Sequence, residues 1–473
     1  MTDLSPVTPD FEASLRAALP DAAFKSPEPK YFEEPRGRFQ GAAGVVLAPA
    51  STTEVAAAVR LAHEAGVPVV PYGGGTGLVG GQIAGEGPAA LVLSLERMTR
   101  IRNTWPRENL IEVEAGAILA DVQAKAKEVD RLFPLSLASE GSARIGGLLA
   151  TNAGGVNVLR YGNMRDLCLG LEVVLPNGDI WNGLTRLRKD NLGYDLRNLM
   201  IGSEGTLGVI TAATLKLSPI PATRGTAMIA VPSPDAALDL LALARNHVGD
   251  GVVAFELIHE QGYHFLSETL PDVRHPFETP PEWSVLIELG LPSGLDPAQV
   301  LMEIFEAAAE AHIATDGTIA QSETQRAEFW AVREKIPEAN RRIGSVSSHD
   351  ISVPMEAIPE FIERGPGVLT EIGNFRINCF GHVGDGNLHY NVFPQPGRSR
   401  ADHDNERPAI KRAIHDLTHE LGGSVAAEHG VGRLKVEDVQ AYADPTHLAL
   451  MRQIKDALDP KGIMNPGVIL PAS

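Results

Sequence analysis

A chain of 473 residues with 44% hydrophobic side chains is long enough for two or three domains with large cores. Its formal net charge of −19 argues against nucleic acid and anionic membrane surfaces as partners. Cys168 and Cys379, the two cysteines, sit in no metal or redox spacing, so reduced thiols and a cytoplasmic setting are expected. The opening Met1-Thr-Asp-Leu-Ser-Pro has neither the basic nor the apolar part of a signal peptide, and no apolar run reaches the ~18 residues of a membrane span.

Residues 1–37 are rich in proline and acid and predict an irregular lead-in around one short helix near 11–18. A strand at 45–47 follows. Ser51 and Glu54 have the spacing of a capping box, which starts a helix running to 65, and Gly66 stops it. A short buried strand at 66–70 then enters Pro71-Tyr-Gly-Gly-Gly-Thr-Gly-Leu-Val-Gly-Gly81, six glycines in eleven residues. Glycines permit positive φ and close approach, so successive N–H groups can converge on an anion. The loop reads as a cradle for a diphosphate, against an ordinary glycine-rich surface loop. Gly75 to Gly80 fits G-x-G-x-x-G, but nothing helical follows and no strand-end acid lies at the required distance, which excludes a nicotinamide Rossmann site.

Strands at 91–95 and 110–114 and a helix at 118–129 come next, with no regular βαβ rhythm. A second glycine-rich region spans 134–163, with Gly141, a short helix from Ile145 through Gly146 and Gly147 to Thr151, then Asn152 and Gly155. The start of that helix can face an anion. A third region carries Glu204 and Gly205 and runs through Ile210 into a strand ending near 217. Each alone reads as a tight turn. In this order they strongly resemble, over 38–217, the FAD domain of the vanillyl-alcohol-oxidase and p-cresol-methylhydroxylase type. That resemblance implies that Tyr72, Gly73, Gly74, Gly75, Thr76, Gly77, Leu78 and the Ile145–Gly147 turn wrap the diphosphate. It places Thr151, Asn152, Gly155, Glu204, Gly205 and Ile210 at the flavin, with Gly141 and Asn465 also at the cofactor. Some relatives attach FAD through a histidine of the first loop; Thr76 stands there, so noncovalent FAD is expected.

Beyond Pro219-Ile-Pro221 the order is strand (227–231), helix (234–246), strand (252–258), strand (284–290), helix (297–311), strand (314–319), which predicts a ferredoxin-like cap. The expected class is α+β: a two-subdomain FAD domain at 38–220, the cap at 221–435, and a helix near 448–458 within 436–473 returning to the FAD domain. In the cap, 377–393 reads as two strands around Asp385-Gly386, a strong hairpin signal. That register sets His382 opposite His389, with Asn391 on the same face, and a cross-strand imidazole pair suits a divalent metal. Glu428, in Glu428-His429-Gly430, is the third candidate ligand.

These motifs closely resemble the C-terminal half of FAD-dependent D-2-hydroxy acid dehydrogenases, the D-lactate and D-2-hydroxyglutarate enzymes. The resemblance implies Zn2+ or Mn2+ on His382, His389 and Glu428, and His429 as the base. It implies Arg333 on the substrate carboxylate, with Asn391 and Ser348 also at the substrate. Hydride would pass from C2 of a 2-hydroxy acid to FAD, and an external acceptor, such as an electron-transfer flavoprotein or a quinone, would reoxidise the flavin. A homodimer stays open. Pro337 and Ser348 replace the threonine and lysine of the hydroxyglutarate pattern, both at the distal carboxylate, with Arg341 and Arg342 as nearby substitutes. A metal-free flavin oxidase of an alcohol or sugar, and a flavin electron-transfer subunit, are the competing readings.

Overall fold

The computed structural model describes residues 4–35, 37 and 39–472. Two compact units emerge. The first gathers the chain up to Gly154, Gly162–Ile220 and the stretch from Glu428 onward; the second holds Gly155–Tyr161 and Pro221–Ala427. The second unit ends at Ala427, ahead of the expected boundary at 435. The cause is a set of long-range contacts: the Val431 and Gly432 amides donate to Glu204, and Arg433 donates to the Ile83 carbonyl.

In the first unit, Ala43–Leu47, Ala90–Ser94 and Val69–Tyr72 form parallel neighbours, with Phe24–Lys25 on the outer edge of Ala43–Leu47. The lead-in is part of this layer. Buried Tyr31 meets Tyr72 edge-on with ring centroids 5.1 Å apart, and the Tyr72 hydroxyl donates to the Lys30 carbonyl at 2.8 Å. The helix Thr52–Ala65 starts at Ser51, whose hydroxyl accepts from the Glu54 amide, and stops at Gly66 with φ 68°. Such a cap contributes about 1 kcal/mol. Glu54 accepts from the Ala50 amide rather than from Ser51, so only half of the expected capping box forms. A second, antiparallel sheet runs Ile101–Trp105, Leu110–Glu114, Val209–Lys216, Cys168–Val174, Ile180–Gly183.

The second unit is built on seven strands: β1 Thr223–Val231, β2 Val252–His259, β3 Trp283–Leu291, β4 Asp316–Ile319, β5 Ser347–Ser352, β6 Arg376–Gly381 and β7 Asn387–Phe393. Their order is β4-β1-β3-β2-β6-β7-β5, every neighbouring pair antiparallel. The first four reproduce the ferredoxin-like order expected from the βαβ-βαβ pattern. Apolar side chains cover both faces. Ala227, Leu257 and Ile287 pack on one with Leu240 and Ile304 of the crossover helices, while Met228, Ile258 and Leu286 pack on the other with Phe329, Val332 and Ile336. This two-sided burial explains why these strands read as apolar runs rather than alternations.

The helix Glu323–Ile343 covers the second face. Its buried residues, Phe329, Val332, Arg333, Ile336, Ala339 and Asn340, follow the three- and four-residue spacing of a helix stripe. Two of them are polar, and a polar group in such a stripe must find a partner.

Candidate flavin cleft and metal-binding histidines

In the first unit the strand Val69–Tyr72 delivers the glycine loop to the rim of an open cleft of about 920 Å³. Its wall contains Tyr72, Gly73, Gly74, Gly75, Thr76, Gly77, Gly146, Gly147, Thr151, Glu204, Gly205, Ile210 and His429. Small residues are required where the loops meet. A Cβ on Gly73 would lie 3.2 Å from the Gly147 Cα, and one on Gly74 would lie 2.3 Å from the Ser142 carbonyl oxygen. Gly75 and Gly205 have φ of 73° and 74°, which side-chain-bearing residues seldom adopt.

Leu78, Gly141, Ile145, Asn152 and Asn465 do not line the cleft. Ile145 and Gly146 start the short helix Ile145–Ala150, but their amides donate to the Ala117 and Ala115 carbonyls, so the expected wrap by Ile145 is replaced by an anchor to the turn that follows the strand Leu110–Glu114. Asn152 accepts from the Arg165 amide at 2.9 Å. Asn465 is a stitch: its side-chain amide donates to the Gly81 and Glu204 carbonyls, both at 2.8 Å. Gly155, with φ 127°, belongs to the second unit.

Glu204 lines the cleft, but its carboxylate is committed. Oε1 accepts from the Val431 amide and Oε2 from the Gly432 amide, each at 2.8 Å. Burial pushes its carboxyl up, and those two amides oppose the shift. The clamp fixes the turn that presents His429 to the cleft. His429 Nε2 lies 3.7 Å from Glu428 Oε1. Arg144 is a cation in the wall that the sequence did not single out, and Gln82 braces the loop by donating to the Gly77 carbonyl at 2.8 Å. Converging glycine backbone, one cation, a committed carboxylate and the apolar Leu148, Val209 and Ile210 fit a flavin dinucleotide.

In the second unit His382 and His389 come together, though not through the expected register. His389 pairs with Phe380 across the strands, and β6 ends at Gly381. A single 3-10 turn, Val383–Asp385, followed by Gly386 at φ 87°, replaces the two-residue tip. His382 is therefore just outside the ladder. Its ring nevertheless lies 5.5 Å from that of His389, and each offers a nitrogen within 4.8 Å of one on the other. His382 Nδ1 is 2.6 Å from Glu256 Oε1, and Arg333 Nε donates to Glu256 Oε2 at 2.6 Å. Burial would push Glu256 up, but the His382 and Arg333 charges outweigh it and hold the carboxyl at about 2. Asp350, opposite His389 on β5, lies 3.9 Å from its Nδ1. Two imidazoles backed by carboxylates are the donor chemistry of a divalent transition-metal site, so the residues fit such an ion.

Around this pair, Asn391 faces Asn378 and Ser348 across the two neighbouring ladders. Asn378 donates to Asn340 at 2.9 Å, and Ser348 shares a hydrogen bond with Ser345 at 2.7 Å. Arg341 and Arg342 are exposed, and Arg342 donates to the Thr269 carbonyl, so neither joins the buried polar face. Sequence reasoning missed Glu256. A carboxylate inside Val252-Val-Ala-Phe-Glu-Leu-Ile258 was its signal, because a buried strand cannot keep an unpaired charge.

Residues 43–183 match the family described as "FAD binding domain", and residues 220–469 match "FAD linked oxidases, C-terminal domain". The chain is 36% identical over 479 residues to the mitochondrial D-2-hydroxyglutarate dehydrogenase of Bos taurus, covering 99% of this chain and 84% of that protein. It is 37% identical over 424 residues to the D-2-hydroxyglutarate dehydrogenase of Xanthomonas citri pv. viticola, covering 89% and 88%. Among solved structures, p-cresol methylhydroxylase with substrate bound superposes with TM-score 0.76 at 16% identity, covering 100% of this chain and 99% of that one. An alkyldihydroxyacetonephosphate synthase superposes with TM-score 0.72 at 18% identity, covering 98% and 86%. At such identities these two establish the shared flavin fold.

Proposed function

The chain belongs to the family of FAD-linked oxidases that contains the D-2-hydroxyglutarate dehydrogenases, and on that premise we propose that it oxidises a D-2-hydroxy acid, of the D-lactate or D-2-hydroxyglutarate class, to the 2-oxo acid. The observation that carries the reading is the position of His429, an imidazole in the wall of the flavin cleft on a turn clamped by Glu204.

Arg333 holds the substrate carboxylate. Its Nε is used by Glu256, and its two terminal nitrogens have no protein partner among the described residues. Asn391 and Ser348 face the rest of the acid. His429 takes the proton of the 2-hydroxyl, and Glu428 beside it stabilises the imidazolium that forms. His382, His389 and Glu428 would hold Zn2+ or Mn2+. The Ala427 amide lies against the Asp350 carbonyl at 3.4 Å, and Asp350 is the cross-strand neighbour of His389. Bound FAD supplies the hydride acceptor, and the ion supplies positive charge at the 2-oxygen. FAD is held noncovalently, since Thr76 offers no attachment, and an electron-transfer flavoprotein or quinone accepts the electrons. Two buried free thiols suit a reducing compartment, and we place the enzyme in the cytoplasm. Among the described residues no helix is long and apolar enough to cross a membrane.

The test is anaerobic mixing with a panel of D- and L-2-hydroxy acids while following the flavin absorption band. Bleaching by a D-acid and not by its L-enantiomer is expected. A flavin that no 2-hydroxy acid reduces would sink the assignment.

A further inference from the structure

We propose that Glu256 is a positioning residue that sets two groups of the reaction at once, one oxygen fixing the ring of His382 for metal ligation and the other fixing the guanidinium of Arg333 for the substrate carboxylate. The inference rests on the function proposed above. Glu256 is 1% exposed in the middle of β2, and both contacts are 2.6 Å. A carboxylate only accepts, so His382 Nδ1 must carry the proton, which leaves the lone pair of Nε2 for an ion. Arg333 is pinned twice: Nε on Glu256, and its plane over Phe380 with the guanidinium carbon 4.7 Å from the ring centroid. The edge that remains carries two parallel N–H donors, the geometry a carboxylate takes.

An internal control lies on the next strand. Glu288 is 4% exposed and accepts from Arg326 and Trp330 of the same helix, yet touches neither His382 nor Arg333.

The experiment uses the holoprotein and reads three quantities in each variant: flavin content, Zn2+ affinity by competition with a chromophoric chelator, and KM against kcat for the D-acid that bleaches wild type. In Glu256→Gln the side chain keeps one acceptor and turns an NH2 toward a donor, so it cannot serve both partners. Zn2+ affinity is expected to fall roughly 10–100-fold, the range for removing a carboxylate behind a metal-ligating histidine. KM is expected to rise about tenfold or more with a smaller change in kcat, flavin being retained, as one lost charged contact predicts. Glu256→Asp, which keeps the charge but shortens the reach, should fall between. Glu288→Gln should lower the melting midpoint and leave Zn2+ affinity and KM within about twofold. The inference is overturned if folded Glu256→Gln matches wild type in both constants, or if Glu288→Gln reproduces its losses. Should Glu256→Gln not fold, Glu256→Asp equal to wild type in both overturns it as well. Wild-type protein that takes up no divalent ion overturns the metal reading and this inference together, and it is recognised before any variant is made.

Discussion

His259 closes a helix with one ring nitrogen. Its Nδ1 accepts from the Gln261 amide at 3.2 Å to cap Glu260–Thr269, and its ring packs on Trp283. Burial, helped by His264, lowers its pKa to about 4 from 6.5. A depressed folded value means that the neutral form stabilises the fold above pH 6.5 and that this contribution is lost as pH falls toward 4. The loss at pH 5 is of order 1–2 kcal/mol. Melting midpoints should therefore drop between pH 7 and 5, and His259→Asn, a cap that does not titrate, should flatten that slope. An unchanged slope would contradict the cap. His429→Ala should keep FAD and metal yet slow anaerobic flavin reduction by roughly 10²–10⁴-fold, the usual worth of a general base. Near-normal stopped-flow reduction would remove His429 from the reaction. His429 and Glu256 differ in how readable they were from the sequence. His429 was legible because Glu-His-Gly is a distinctive triplet. Glu256 was not, since its partners lie 126 and 77 residues away and nothing local announces them.

The turn after Glu428 owes its shape to Glu204, 227 residues from Val431. Glu204 itself sits at φ 49°, between Gly202 at 83° and Gly205 at 74°. Glu204→Ala would leave one buried and one half-buried amide donor without their acceptor, at a cost of about 2–3 kcal/mol. A lower melting midpoint and release of flavin on gel filtration are expected, and a variant matching wild type in both would show that the turn holds itself. At this scale the sequence was informative wherever local chemistry fixes the element. Ser51 and Gly66 bound their helix because a cap and a positive-φ stop are local requirements. The ferredoxin-like strands were legible because crossover helices leave apolar runs between turn residues. The tip after His382 was misread because Asp-Gly favours a two-residue turn, whereas Gly381 at φ 146° already ends the ladder and Val383–Asp385 coils into a 3-10 turn. The helix Glu323–Ile343 escaped notice since Pro337 and the buried Arg333 and Asn340 break the expected pattern.

On the scale of the molecule, the flavin cleft and the two candidate metal-binding histidines are carried by different stretches of chain. The glycine loops belong to the first unit, and His382 and His389 belong to the second. Dialysis against a chelator should therefore leave a yellow protein that no longer turns over, and Zn2+ or Mn2+ should restore it. Full turnover after demonstrated metal loss would return both histidines to a structural role. His382→Ala and His389→Ala should behave like the chelated protein, with flavin content unchanged. Pro219-Ile-Pro221 marks a change of character in the sequence, while nothing local marks the return at 428, because it is set by long-range partners of Val431, Gly432 and Arg433.

That return has a consequence for synthesis. The loops that line the cleft are translated early, whereas Glu428, His429 and the Asn465 stitch arrive only after all of Pro221–Ala427 has been made. Chain entropy hardly penalises the delay, since each doubling of a closed loop adds only about 0.6 kcal/mol. Timing is another matter. A nascent chain paused anywhere within Pro221–Ala427 already carries every glycine of the cradle, but neither the imidazole that would use a flavin nor the asparagine that ties the cradle's two ends. Cofactor captured at that stage would sit in an unlatched, inert cleft. Assembly of the working cleft is thereby deferred until the stretch from Glu428 onward has been made.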